Sequence, residues 1–578
     1  MLNRRRFVTG LAASFPLSKI AFAGPTRLEG RRFELGIDYL PVNFTGQSAT
    51  ATAVNGSVPG PTLYWQEGDE VTIRVRNRLA ETSSIHWHGI ILPTEMDGVP
   101  GMSFDGIAPG AFYDYRFRLN QAGTYWYHSH SGWQEQTGTY GAMVVRPRGG
   151  DPDGADRDHV ILLSDWTDED PAAIYRKLKK VSHYYNFNER TAGDLWQQIR
   201  EQGVASTWRD RAMWNQMRMS DRDIADVTGY TYTYLMNGLT PAQGWRGLCR
   251  PGERVKLRFI NASAMSIFDI RIPGLKMTVV AADGQDVEPV TVDEFRIGTA
   301  ETYDVIVEPG GEGAWTLFAQ SIDRTGYARG VLATDGTLMA EVPPMDPAPI
   351  LGHGDMGMAH GGDHSGHGGH GQHGAADSHA AMGHHAHHAM HGGIAPAGSG
   401  STTPIVHGPE EFGPHVDMRA EMPVSGIDDP GIGLRHHHHR FGRSVLNYGM
   451  LKNRYPTQDR RDPVREVTLH LTGNMSRYMW SFNGIKFADA EPIILDYGER
   501  VRFHLVNDTM MTHPIHLHGL WSELETGDAA YLPRKHTVLV QPGKTASYLV
   551  TADALGRWAY HCHLQFHMRG MMREVRVV

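Results

Sequence analysis

The chain has 578 residues, of which 40% are hydrophobic and 21% charged, and 64 acidic against 55 basic side chains leave a net charge of −9. That balance excludes a multi-span membrane protein and a wholly disordered chain, and it offers no basic face for nucleic acid. Abundant Gly and Pro (66 and 32) point to an all-β chain rich in turns, and 33 histidines exceed structural need and raise the question of metal.

In chain order, Met1-Leu2-Asn3-Arg4-Arg5-Arg6-Phe7 and a mildly apolar run to Ala23 read as a twin-arginine export signal, residues 1–23, addressed to the bacterial periplasm. It is too short and too weakly apolar for stable membrane insertion. Three segments then repeat one plan. Gly68-Asp69-Glu70-Val71, Gly252-Glu253-Arg254-Val255 and Gly498-Glu499-Arg500-Val501 each lead, through alternating apolar residues, to an asparagine nine residues after the glycine: Asn77, Asn261 and Asn507. Period-two alternation predicts half-buried strands. A second shared block, Pro109 to Gly123 and Pro542 to Gly556, keeps a spacing of 14. Three related Greek-key β-sandwiches over 24–150, 151–344 and 431–578 are the economical reading. Residues 171–226 lack strand alternation and hold Leu195, Trp196 and Ile199, then Met213 and Met217, at helical spacings, which predicts a helical insertion in the second unit. Residues 345–430 include a Gly/His/Met-rich tract too poor in apolar residues to offset its chain entropy, and are expected to be a disordered linker. The run His436 to His439 is assigned no catalytic role. Cys249 is expected to be a buried free thiol.

The remaining histidines are spaced rather than merely abundant. His86-Trp87-His88, His128-Ser129-His130, His516-Leu517-His518 and His561-Cys562-His563 each put two imidazoles on one side of a strand end. Their offsets repeat: Asn77 to His86 and Asn507 to His516 are nine residues, Gly123 to His128 and Gly556 to His561 five. In the middle repeat the same offsets land on Ile270 and Phe318, so the first and third units would meet through their histidine edges with the second as spacer. Eight imidazoles suit a cluster of copper ions. His513, Cys562 and His567 add two imidazoles and a thiol, the donor set of a blue copper with a weak thioether. The first unit has Ser83 and Ser129 where the third has His513 and Cys562, so only the third carries this second centre.

These motifs, across nearly all of the chain after residue 23, resemble those of multicopper oxidases. The stretches Ser164 to Asp170, Tyr184 to Phe187, Gln216 to Ser220 and Asp226 to Asn237 are similar to the periplasmic copper-resistance branch of that family, three-domain cupredoxin assemblies. The resemblance implies four coppers: type 2 on His86 and His516; a type 3 pair on His88, His128, His130, His518, His561 and His563; type 1 on His513, Cys562 and His567. It implies an axial thioether from Met571, or from Met572, which keeps the family's usual count from the cysteine. It also implies a proton-delivering acid at Asp97; a turn before Gly98 is the plainer reading of that residue. The implied reaction couples four one-electron oxidations to reduction of O2 to water, with Cu(I) as donor and Met213, Met217, Met219, Met510 and Met511 as candidate contacts for it. A laccase-like phenol oxidase and a non-catalytic copper-sequestering protein are the alternatives, and the twin-arginine export machinery is the expected partner of the precursor.

Overall fold

The computed structural model describes residues 25–187, 190–217, 219–358 and 400–578. The export-signal reading of 1–23 and most of the His/Met-rich tract therefore lie outside the described residues. The described chain forms paired sheets of five and four, six and five, and seven and five strands, giving three β-sandwiches in chain order.

The repeated motif does the same work in each. Gly68, Gly252 and Gly498 turn into their strands at φ values of 81°, 79° and 81°, a region glycine enters without steric cost. The strands they lead, Glu70–Asn77, Val255–Asn261 and Arg500–Asn507, each run parallel to an earlier strand of their unit, with register ending at Ile37 opposite Asn77, Leu163 opposite Asn261 and Leu471 opposite Asn507. Each asparagine then staples the following turn. Its Oδ1 accepts the backbone N–H two residues on (Leu79, Ser263, Thr509) at 2.9–3.1 Å. Its Nδ2 donates to two carbonyls: Glu81 and Ile107, Ser266 and Ile297, Met511 and Val540. That staple sets how far beyond the asparagine the next strand begins, and in the outer units that strand carries histidines.

Two expectations need correction. The alternating strands are half-buried only in the first unit; Val255–Asn261 and Arg500–Asn507 are buried on both faces. Their polar residues are covered because they are paired: Lys256 with Asp151 and Asp153, Arg258 with Asp158 and Asp304, Arg502 with Glu525. A buried cation is tolerated only with such partners. The linker is also shorter than 345–430. Leu351 and Met356 are buried on one side, Met418 and Ala420 on the other, and Val424–Ser425 adds a parallel strand to Lys544–Thr551. These flanks carry enough apolar side chains to dock, unlike the tract between them.

The helical insertion comprises Pro171–Leu178, Ala192–Gln202 and Val204–Met217. Asp170 caps the first by accepting from Ala172 N, with Pro171 in the first turn, and Thr191 and Asp194 form a capping box on the second. Gly203, at φ 82°, breaks the chain between the last two. His437 is buried in the short helix His437–Phe441, its Nδ1 2.5 Å from Glu294 Oε1, so that part of the histidine run is structural. Cys249 is buried and unpaired. No helix among the described residues is long and apolar enough to cross a membrane.

Candidate metal centre

Strand register brings the spaced histidines together. His86 pairs with His128 across antiparallel strands, and His516 with His561. In the middle unit the equivalent strands also pair, with Ile270 opposite Ala319 and Phe318 opposite Arg271. The scaffold is retained there, without ligands. All eight imidazoles converge at the junction of the first and third units: rings of His86 and His518 lie 3.9 Å apart, His88 and His516 stack at 3.8 Å, and His130 and His561 are at 5.2 Å.

The orientation of each ring is set by what its outer nitrogen touches. His86 Nδ1 donates to Asp97 O at 2.7 Å, His516 Nδ1 to His536 O at 2.6 Å and His561 Nδ1 to Cys562 O at 3.0 Å. His128 Nδ1 reaches Glu135 Oε2 at 2.8 Å, and His518 Nδ1 reaches Asp97 Oδ2 at 2.9 Å. With Nδ1 protonated, each of these imidazoles keeps its Nε2 lone pair for the interior. His86, His128 and His516 Nε2 are buried without a hydrogen-bond partner. His88 is reversed: its Nε2 faces His536 Nδ1 at 3.1 Å, and its Nδ1 is the partnerless atom. Partnerless buried nitrogens aimed at one small volume are costly unless a cation fills it. Burial and the neighbouring imidazoles hold His88, His128, His130, His516, His518 and His563 well below the ordinary histidine range, and His561 at about 3, so they are neutral donors. The donor set fits copper.

Beside it, His513 Nδ1, His567 Nδ1 and Cys562 Sγ form a triangle of 3.2, 3.5 and 3.8 Å. Thr509 Oγ1 lies 2.7 Å from His513 Nε2, Asp226 Oδ2 lies 2.7 Å from His567 Nε2, and Trp480 stacks on His567 at 3.9 Å. Burial pushes the Cys562 thiol far up, so it yields its proton only to a cation. Met572 pairs with His561 in the closing strand and packs with Val99 and Ala559. Met571, the next residue back, therefore falls on the face of Cys562, and its carbonyl accepts from Cys562 N.

Asp97 touches both His86 (3.2 Å from Oδ1) and His518, joining ligands of the first and third units; it also caps the short turn Thr94–Met96, as the plainer reading held. Of the methionines, Met510 and Met511 are buried in the core and make no open contact surface. Met213 and Met217 lie in the last insertion helix and Met219 just beyond it.

Four residues here escaped sequence reasoning: Glu135, Asp226, His536 and Gln134. Gln134 had a findable signal. It follows Ser129 by five residues, as His567 follows Cys562. Ser83 and Ser129 both donate to Gln134 Oε1, at 2.7 and 3.0 Å, so three hydrogen-bonding side chains fill the first unit's counterpart of the thiol site. Asp226 and His536 reach their partners across 341 and 448 residues, which no local pattern reveals.

Comparison with known proteins identifies the family. Residues 37–150, 157–337 and 460–578 match three family descriptions that all read "Multicopper oxidase". A copper resistance protein A homolog of Pseudomonas syringae pv. tomato is 54% identical, covering 100% of this chain and 99% of the relative. Copper resistance protein A of Escherichia coli is 53% identical with the same coverage. Among solved structures, Fet3p, described as a multicopper oxidase that functions in iron import, superposes with a TM-score of 0.63 at 17% identity over 95% of this chain and 90% of that one. The laccase from Botrytis aclada gives 0.62 at 20% identity, covering 96% and 88%. At such identities the structures speak for the fold alone.

Proposed function

The chain belongs to the multicopper oxidases, copper-using oxidoreductases, and we propose that it oxidises Cu(I) to Cu(II) in the bacterial periplasm, four one-electron steps serving the reduction of one O2 to two waters. The observation that carries this reading is the His561-Cys562-His563 run. Its thiol belongs to the small three-donor triangle while both flanking imidazoles belong to the larger cluster, so the backbone itself joins an electron-entry centre to a multi-metal one. We assign type 1 copper to His513, Cys562, His567 and axial Met571; type 2 to His86 and His516; and the type 3 pair to His88, His128, His130, His518, His561 and His563. Copper held by the first set would supply one-electron transfer, and copper held by the other two sets would supply the reduction of O2.

The chain's own residues prepare this. Asp226 accepts from His567 Nε2–H and keeps the Nδ1 lone pair on the thiol's side. Asp97 accepts the Nδ1 proton of His518 and is the nearest carboxylate to two ligands at once, which suits it to hold them in register and to pass protons inward. Glu135, buried and with its carboxyl raised above the ordinary range, holds His128 and approaches His563 Nδ1 at 3.8 Å.

Cu(I) as donor is supported by the names of the full-length relatives and by the insertion. A cavity of about 630 Å³ is lined by Trp208, Trp214, Met219 and Asp221, and the loop from Met219 leads to Asp226 at the type 1 histidine. A thioether there is a soft ligand. The apolar character of the same cavity favours a second reading, a phenolic donor as in laccases. Copper content together with O2 uptake, with Cu(I) and a phenol compared at equal concentration, separates the two. Four coppers and faster uptake with Cu(I) are expected; one copper or none would overturn the oxidase reading, and preference for the phenol would overturn the substrate.

A further inference from the structure

A second group of metal-ligating side chains meets where the segment 400–430 returns to the third sandwich. His407 and Glu411 come from that segment, Glu411 in the turn Pro409–Phe412; His470 comes from the strand Arg465–Asn474, and Asp508 follows the strand Arg500–Asn507. His407 Nδ1 lies 2.7 Å from Glu411 Oε2 and 3.6 Å from Asp508 Oδ2; His470 Nδ1 lies 2.7 Å from Asp508 Oδ2 and 3.4 Å from Glu411 Oε2. Two nitrogens and two oxygens thus face one another alternately around a small volume. Ligand atoms at about 2.0–2.2 Å from a tetrahedral ion stand about 3.3 Å apart, within the range these four separations span.

Two further observations call for a cation. His407 Nε2 lies 3.2 Å from Ala420 O, a carbonyl that can only accept. In a neutral imidazole that leaves Nδ1 as a lone pair aimed at a carboxylate oxygen 2.7 Å away, an opposition that a positive charge must relieve. Glu411 and Asp508 are also almost wholly buried, and among the described residues neither forms an ion pair with lysine or arginine. Beside two neutral imidazoles they would leave two buried negative charges uncompensated, a heavy cost. Their remaining oxygens are already taken, Asp508 Oδ1 by Ala420 N and Glu411 Oε1 by Gly408 N, which fixes Oδ2 and Oε2 toward the histidines.

We infer that His407, Glu411, His470 and Asp508 form a further divalent-metal site, distinct from the copper ligands and independent of the proposed reaction. Its two imidazole and two carboxylate donors suit Cu(II) or Zn(II) and disfavour Cu(I), which prefers sulfur. A divalent ion would neutralise the pair of carboxylates and tie the chain emerging from the His/Met-rich tract to Asp508. The next residue, Thr509, contacts the type 1 histidine His513. The site therefore lies where the segment 400–430, the third sandwich and the proposed electron-entry centre meet.

Crystals of the full-length, copper-loaded protein, soaked separately in millimolar Cu(II) and Zn(II), test it by anomalous difference maps at each metal's edge. A peak bonded to all four side chains is expected in at least one arm, and the arm identifies the ion. Glu411→Gln, which keeps the volume and the turn, is expected to abolish that peak with the blue absorption of the type 1 centre unchanged. No peak in either arm, with the 2.7 Å contacts retained, would overturn the site and assign the cluster to imidazolium–carboxylate pairs. A peak that persisted in the Glu411→Gln protein would overturn the assignment of ligands.

Discussion

Single atoms decide the chemistry of the centre. Cys562 Sγ belongs to the triangle while the flanking His561 and His563 belong to the cluster, so on the proposed assignment Cys562→Ser is expected to remove the blue absorption and turnover while leaving the cluster metallated. Serine cannot supply a thiolate's charge-transfer band, and visible absorption with copper analysis checks the outcome. His86→Ala should do the reverse, keeping the blue band and losing O2 reduction. Asp97 sits against His518 and His86. Asp97→Asn retains an oxygen that can accept from His518 Nδ1–H and is expected to keep copper while slowing O2 uptake by roughly 10²–10⁴-fold, the worth of a positioned proton donor. Asp97→Ala removes the acceptor and should weaken copper binding itself by about 10–100-fold. Equal copper loss in both variants would make Asp97 a positioning residue alone.

At the scale of elements, the repeated asparagine is the device that places the ligand strands. Asn261 makes the same contacts as Asn77 and Asn507 in the unit that carries no ligand, so Asn261→Ala isolates its structural worth. Removing its bonds to the Ile297 carbonyl, to Ser263 N and to the Ser266 carbonyl, which keeps a donor in Thr299 Oγ1, should cost about 1–3 kcal/mol and lower the thermal midpoint without altering the blue band. Stability should also depend on pH through Asp417, whose Oδ2 accepts from Met475 N. Burial raises its carboxyl from 3.8 to about 7. The folded state then holds a proton that the unfolded chain has released, so this contribution is present below about pH 4 and is lost as pH rises through 7. Thermal midpoints between pH 5 and 8 should fall in the parent and fall less in Asp417→Asn.

For the molecule as a whole, the His/Met-rich tract between the second and third sandwiches is set apart by its composition. Its eleven histidines between His360 and His391 offer many weak copper sites, and tethering raises the local copper concentration. Because Leu351 and Met356 are buried, the excision that tests this is 359–399 rather than the whole of 345–430. The shortened protein should keep four coppers and its phenol oxidation while its apparent KM for Cu(I) rises. Imidazoles protonate near pH 6.5, so the difference should fade on acidification. Equal KM values at pH 7 would make the tract a spacer.

What could be read from the chain alone was whatever local spacing encodes. Side-chain period two fixes that His86 and His88, or His561 and His563, share a side, and equal offsets from Asn77 and Asn507 align two edges without any coordinates. The repeated pairs of histidines and the three-sandwich plan follow from that regularity. Tertiary structure decided what depends on residues distant in sequence meeting in space. Which nitrogen of each histidine faces inward depends on Asp97, Glu135 and the carbonyl of His536. Asp226 reaches His567, and His407 reaches Asp508, only because the fold folds back on itself. Hydrogen-bond partners chosen by packing leave no period in the sequence, because the chain between them is free to vary in length and composition.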